Sequence, residues 1–188
     1  MAEQRVLVIG HSFVSRLTDY LRRSNNWPTR LDGCTVQLAG FRGATLHRLT
    51  SNLDNRLDHF RVIYVEIGSN DLCEPCSVDG FVSRLILFAH FLIRRGVSQV
   101  VIGEVVFRTE RCRYRMGVSL RHYNMAVREA NSRLSELCRG NRQLTFHRHR
   151  RLYNPNFICA DGVHLTDDAM RIYWRSVRGA LLHALRQP

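Results

Sequence analysis

The chain of 188 residues is 45% hydrophobic, which fits a single globular domain (residues 1–188) with a sizeable core. No apolar run approaches the ~20 residues of a membrane span, and residues 1–20 lack the layout of a signal peptide, so we expect a soluble, intracellular (cytoplasmic) protein. All 28 basic residues are arginine against 16 acidic ones, and the net charge of +12 fits either a polyanionic partner or an ordinary surface with biased codon usage.

An apolar strand opens the chain and runs from Arg5 to Gly10, where a helical spacing of apolar residues begins. Ser12 therefore lies where a buried strand turns into a helix. The first N–H groups of a helix are unpaired and its dipole is positive there, which suits an oxyanion. Serine is also a favoured helix cap, so this stretch alone leaves open whether Ser12 is a nucleophile or only a cap.

The rest of the chain alternates strands with helices, as in a three-layer α/β fold around a parallel sheet. Further strands are predicted at 34–39, 62–67, 99–106 and 143–147. Helices are predicted at 46–57, 77–95, 120–138 and 167–185, and 24–33 is a polar connection. Right-handed crossovers and a first strand near the middle predict five parallel strands in the order 2-1-3-4-5.

Four polar loops leave the carboxyl edge of this sheet, at residues 10–12, 40–45, 68–71 and 161–164. They hold the groups that acyl transfer requires. Ser12 is the candidate nucleophile and His164 the candidate base, and Asp161 lies three residues before His164, near enough to orient its ring. The N–H groups of Ser12 and Gly43 and the side-chain amide of Asn70 are candidate oxyanion donors.

The four loops also resemble the conserved blocks of the SGNH (GDSL-type) hydrolases, in the group similar to the catalytic subunits of platelet-activating-factor acetylhydrolase. The blocks read Gly10-His11-Ser12, Gly43-Ala44-Thr45, Gly68-Ser69-Asn70-Asp71 and Asp161-Gly162-Val163-His164. The resemblance implies a flavodoxin-like sheet and a serine esterase acting on short, acetyl-type esters of a lipid or carbohydrate. It implies the same site residues, and no metal or other cofactor.

One residue departs from the family pattern, because His11 stands where these hydrolases usually have aspartate. No member of the triad is lost, but the hydrogen bonding of the serine turn must differ. A histidine bonded to nearby backbone is the simpler interpretation, and a second catalytic role is the alternative.

Six cysteines are scattered through the chain, and we expect them to be reduced. Cys73 and Cys76 have the spacing of a metal or redox pair, but no second pair of ligands accompanies them, so no metal site is predicted.

The arginine-only charge and the Gly10-His11-Ser12-Phe13 form also resemble esterase domains of retrotransposons, such as first-open-reading-frame proteins of LINE-type elements. That context would put the domain beside RNA. The candidate contacts for weak, non-specific RNA binding are Arg108, Arg111, Arg113 and Arg115. The alternative to an esterase is therefore a binding module of the same fold that associates with nucleic acid or self-assembles as a homo-oligomer.

Overall fold

The structure is a computed structural model that describes residues 5–27, 29–53, 57, 59–112 and 116–187. A six-stranded sheet forms the middle layer of a three-layer α/β fold. Its strands are β1 (Arg5–Gly10), β2 (Arg30–Leu31), β3 (Cys34–Gly40), β4 (Phe60–Glu66), β5 (Gln99–Gly103) and β6 (Leu144–His147). The α-helices are α1 (Ser12–Arg23), α2 (Leu46–Ser51), α3 (Val78–Arg94), α4 (Leu120–Leu137) and α5 (Asp167–Leu185). Short 3-10 turns cover Asp71–Cys73 and Pro155–Phe157.

The strands lie side by side in the order β2-β3-β1-β4-β5-β6. From β3 to β6 every neighbouring pair is parallel, which confirms the predicted order of five parallel strands. The sixth strand, β2, was missed and pairs antiparallel with β3 at the edge. Asp32 and Gly33 join the two strands with φ angles of 49° and 77°. An Asp-Gly pair with positive φ at both residues is a typical two-residue hairpin turn, and this was the overlooked signal.

The hydrophobic core lies on both faces of the sheet, because alternate residues of a strand point to opposite sides. In β1, Val6 and Val8 pack with α1 and α5, whereas Leu7 and Ile9 pack with the buried faces of α2, α3 and α4. Each helix thus covers the sheet with one apolar face. No helix within the described ranges is long and apolar enough to cross a membrane.

Helix α2 is shorter than predicted, ending at Ser51 instead of residue 57. The side chains of Thr50 and Ser51 bond back to the His47 carbonyl, and the Asn52 amide donates to the Arg48 carbonyl at 2.7 Å. Such short polar side chains compete with the backbone for its hydrogen bonds and favour helix ends.

Strand β5 also ends earlier than predicted, at Gly103 instead of residue 106. The backbone N–H and carbonyl of Val105 both bond to the side-chain amide of Asn131 on α4, at 3.0 and 2.9 Å. A side chain of α4 therefore holds the loop after β5 in place of a further strand partner. The loop residues lie at the carboxyl edge of the sheet.

Candidate active site

The serine turn joins β1 directly to α1. His11, not Ser12, caps the helix, and its Nδ1 accepts the Phe13 N–H at 3.3 Å. The backbone-bonded interpretation of His11 is thereby confirmed. The turn is tight at Gly10, where an added Cβ would lie 2.2 Å from the Glu66 carbonyl oxygen. Ser12 is the first helical residue, and its own N–H has no acceptor among the described residues.

A continuous hydrogen-bonded chain links the three residues predicted as a triad. The Ser12 Oγ lies 3.1 Å from the His164 Nε2, and the His164 Nδ1 lies 2.7 Å from the Asp161 Oδ2. An ionised carboxylate can only accept a hydrogen bond, so Nδ1 carries the ring proton and Nε2 is left to accept one from the serine hydroxyl. The geometry thus suits proton transfer from Ser12 to His164.

The Asp161 carboxylate is also fixed by the backbone of its own loop. Its Oδ1 accepts the N–H groups of Val163 and His164, both at 2.9 Å. Partial burial acts to raise the pKa of Asp161, but the bonds from the His164 backbone, the His164 ring and the Val163 backbone outweigh it and lower the pKa to about 2. The carboxylate is therefore ionised throughout the neutral and mildly acidic range.

The predicted oxyanion donors line one cavity of about 180 Å³ together with Ser12 and His164. Gly43 has a φ of +69°, a conformation that glycine adopts without strain, and its N–H has no acceptor in the described part of the chain. The Asn70 amide donates to the Ala44 carbonyl at 2.9 Å, which uses one of its two hydrogens. Asp71 accepts the Leu46 N–H at 3.0 Å and so ties the two donor loops together.

Beneath the serine turn lies a buried polar cluster that sequence reasoning missed. The Glu66 carboxylate, 1% exposed, accepts from the hydroxyls of Tyr173 and Tyr64 at 2.9 and 3.4 Å, and its Oε2 lies 3.4 Å from the His149 Nε2. Burial and the nearby carboxylate raise the pKa of both tyrosines well above the usual value, so both hydroxyls remain donors. The available signal was a charged residue at the end of the apolar run 62–67.

The structure describes two of the four predicted nucleic-acid contacts, Arg108 and Arg111. Arg108 is only 7% exposed, donates to the Ser69 carbonyl at 3.3 Å and lies over the Tyr123 ring. The prediction that Arg108 is a surface contact is therefore wrong. Arg111 is exposed. Arg113 and Arg115 lie outside the described residues.

The Cys73 and Cys76 thiols do not bond to each other. The Cys73 Sγ donates to the Ser69 carbonyl, and the Cys76 Sγ donates to the Asp71 carbonyl. In the described ranges no three His, Cys, Asp or Glu side chains form a group that could hold a metal ion.

The sheet order, the helices on both faces and the polar loops at the carboxyl edge define the fold of the SGNH (GDSL) hydrolases. No protein-family profile and no curated protein matches the sequence, so this likeness is one of three-dimensional structure.

Three solved structures illustrate the likeness. A GDSL-like lipase from Bacteroides thetaiotaomicron superposes with a TM-score of 0.74 at 16% identity, covering 96% of this chain and 89% of its own. A lipase/acylhydrolase from Enterococcus faecalis gives 0.68 at 16% identity, covering 98% of both chains. The C-terminal catalytic domain of peptidoglycan O-acetyltransferase A from Streptococcus pneumoniae, solved with a methylsulfonyl adduct, gives 0.66 at 14% identity over 100% of this chain and 98% of that one.

Proposed function

We propose that this protein is a serine esterase that hydrolyses short-chain, acetyl-type esters through Ser12, His164 and Asp161. The observation that carries the proposal is the unbroken hydrogen-bonded chain from the Ser12 hydroxyl through His164 to Asp161 at the edge of a cavity. The likeness in fold to lipases and acylhydrolases supports the same reaction class. Catalysis uses side chains and backbone groups of this chain alone.

In the first half-reaction, the Ser12 Oγ attacks the ester carbonyl carbon while the His164 Nε2 takes the hydroxyl proton. The N–H groups of Ser12 and Gly43 and the free hydrogen of the Asn70 amide stabilise the oxyanion that forms on the carbonyl oxygen. His164 then gives its proton to the departing alkoxide. In the second half, His164 removes a proton from water, which attacks the acyl-serine carbonyl carbon, and His164 then returns the proton to the Ser12 Oγ as the acid leaves.

The cavity dimensions favour a short acyl group. Ligand pockets typically enclose about 300–1,000 Å³, and the cavity at Ser12 encloses about 180 Å³. A small cavity holds an acetyl-type group well, whereas a long acyl chain would have to leave it. The natural ester is a lipid or a carbohydrate in this proposal.

The test is hydrolysis of p-nitrophenyl acetate by the purified protein and by its Ser12→Ala variant. We expect the variant to fold, because it loses only a hydroxyl at the cavity wall, and to lose the activity. A fluorophosphonate probe should label Ser12 in the wild type. A folded Ser12→Ala protein that hydrolyses the ester at the wild-type rate would refute the nucleophile assignment.

A second candidate function is association with RNA, as in the retrotransposon context suggested by the serine motif. It is favoured by a groove of about 890 Å³ on the side of β6 and α5. The arginines that line this groove are Arg148, Arg150, Arg151 and Arg175. None of the four pairs with a carboxylate of the described residues. Unpaired guanidinium groups along a groove suit a phosphate backbone.

Fluorescence anisotropy with single-stranded RNA tests this second function. Replacing Arg150, Arg151 and Arg175 by glutamine should weaken binding, and each lost phosphate contact should flatten the slope of log K against log salt by about 0.7. The matched control replaces three exposed arginines outside the groove, Arg94, Arg128 and Arg139. If both triple variants lost RNA affinity equally, the net charge of the protein, and not the groove, would account for binding.

A further inference from the structure

Three arginine side chains line the small cavity beside Ser12. Arg16, Arg42 and Arg108 form parts of its wall, and none of its described lining residues is acidic. Of the carboxylates nearby, Asp161 is engaged with the His164 ring and backbone, and Asp19 lies 3.1 Å from the Arg42 guanidinium. The cavity therefore carries an excess of positive charge that the triad does not use.

Arg108 is the buried member of the three. Its guanidinium lies 4.7 Å from the Tyr123 ring centroid, and one terminal nitrogen donates to the Ser69 carbonyl. Its backbone N–H and carbonyl are both bonded to the Asn124 amide, at 3.0 and 2.9 Å. These contacts fix the side chain in one place, so it cannot turn out to solvent without breaking them.

The Nε of Arg108 is nevertheless buried without a hydrogen-bond partner, and Arg108 has no ion pair with a carboxylate among the residues described. A buried donor left unsatisfied costs about 1–3 kcal/mol, and more when it belongs to a charged group. Because Arg108 also forms part of the cavity wall, an anionic group bound there would neutralise its charge.

The other two arginines lie at the rim and are bound only loosely. Arg16 lies 4.0 Å from Asp161, and Arg42 lies 3.1 Å from Asp19, and both arginine side chains are 43% or more exposed. Exposed ion pairs of this kind contribute about 0–1 kcal/mol. Both guanidiniums can therefore exchange these partners for a bound anion at little cost.

We propose that the cavity selects esters that carry a negatively charged group, a carboxylate or a phosphate, close to the ester bond. Arg108 supplies a fixed donor to that group, and Arg16 and Arg42 close around it from the rim. The inference rests on the proposed esterase activity and specifies its substrate class. The hydrolytic step itself is unchanged, since the anionic group takes no part in bond breaking.

Matched pairs of acetate esters test the selectivity in the wild-type protein. The carboxylate pair is 4-acetoxybenzoate and its methyl ester, and the phosphate pair is 4-acetoxyphenyl phosphate and its dimethyl ester. Each kcat/KM is divided by the rate of the same ester with hydroxide ion, which removes differences in leaving-group reactivity. We expect the charged ester of at least one pair to be favoured by about tenfold or more. The pair with the larger ratio identifies the anion, and ratios near one in both pairs overturn the inference.

Three variants locate the selectivity. Arg108→Gln should lower the charged-to-neutral ratio by about tenfold, and Arg16→Gln and Arg42→Gln by smaller factors. Arg94→Gln is the matched control, since it removes an exposed arginine outside the cavity and should leave the ratio unchanged. If Arg108→Gln fails to fold, the two rim variants still carry the test. A ratio that is the same in all folded variants contradicts the assignment.

Binding to the Ser12→Ala protein separates this inference from the proposed function. Isothermal titration calorimetry with 4-acetoxybenzoate, 4-acetoxyphenyl phosphate and their methyl esters needs no turnover. Binding of a charged ester about tenfold tighter than its neutral partner supports the anion site even if the wild type hydrolyses nothing. Equal affinities within both pairs overturn the anion site even if the wild type is an active esterase.

Discussion

Two histidine–carboxylate pairs of the described structure are chemically alike but lie in different surroundings. His164 and Asp161 are 2.7 Å apart at the cavity edge, where the aspartate side chain is 34% exposed. His149 and Glu66 are 3.4 Å apart beneath it, where both side chains are 1% exposed. Each pair thus joins one imidazole to one carboxylate.

The difference lies in what occupies the remaining ring nitrogen. The far nitrogen of His164 faces the Ser12 hydroxyl and a cavity, whereas the Nδ1 of His149 lies 3.0 Å from the Ser176 Oγ inside the protein. A serine nucleophile also needs oxyanion donors beside it. Ser12 shares its cavity with the candidate donors Gly43 and Asn70, whereas Ser176 lies in the middle of α5 and its Oγ is also 2.8 Å from the His147 Nε2. The second pair joins β4, the loop after β6 and α5, so we expect it to stabilise the fold under the site.

Replacing each histidine by glutamine should show the largest difference between the two pairs. His164→Gln removes the proposed base, and we expect kcat to fall by about 10²–10⁴ with the fold retained. His149→Gln should keep kcat within a small factor but lower the free energy of unfolding by about 1–3 kcal/mol, because buried partners lose their bonds. Ester kinetics and urea denaturation measure the two effects. A large loss of kcat in a folded His149→Gln protein would mean that the buried pair also serves catalysis.

Asn70→Ala should have the next largest effect. It removes one proposed oxyanion donor, so we expect kcat to fall by about 10²–10³ with a smaller change in KM. Asn156→Ala, at an exposed position outside the cavity, is the matched control. If Asn70→Ala kept the wild-type kcat, the role of Asn70 would be structural, limited to its hydrogen bond with the Ala44 carbonyl.

The pH dependence of the rate should sharpen the comparison. Activity should fall on the acid side, because only the neutral His164 ring can accept the serine proton. Burial lowers the pKa of His11 to about 4, although Glu66 acts to raise it, so His11 is neutral above that pH. His11→Asn keeps a favoured helix cap and should show the same acid limb. A rate that is flat between about pH 5 and pH 8 would contradict a histidine base.

A further effect is expected on the pH dependence of stability. His11 takes up a proton near 6.5 in the unfolded chain but only at a pKa of about 4 in the folded one, because it is buried. Acidification between these values therefore favours the unfolded chain, and the denaturation midpoint should fall over this window. The contribution is fully present above the window. In His11→Asn the denaturation midpoint should change less with pH. An unchanged pH dependence would mean that other groups cause it.

The parts of this protein that the sequence predicted depend on local patterns. Apolar runs gave the five parallel strands and their order, and short motifs placed Ser12, Asp161 and His164 at one edge of the sheet. The hairpin at Asp32 was missed because a two-residue strand has no periodicity of its own, although its turn had a signature.

The parts that were not predicted depend on contacts between distant residues. Glu66 contacts Tyr173 across 107 positions of sequence, so no local sequence pattern near Glu66 predicts this contact. Arg108 was expected at the surface because arginine usually is. Its burial depends on Tyr123 and Asn124, which belong to a helix that begins later in the chain.

The hydrogen bond between Ser12 and His164 spans 152 positions of sequence, and this has a consequence for timing during synthesis. Chains grow from the amino terminus at about 5–20 residues per second, so the ribosome adds His164 roughly 8–30 s after Ser12. A nascent chain therefore holds the proposed nucleophile long before it holds the proposed base. If the proposed triad is correct, a chain interrupted before His164 would be inert towards esters.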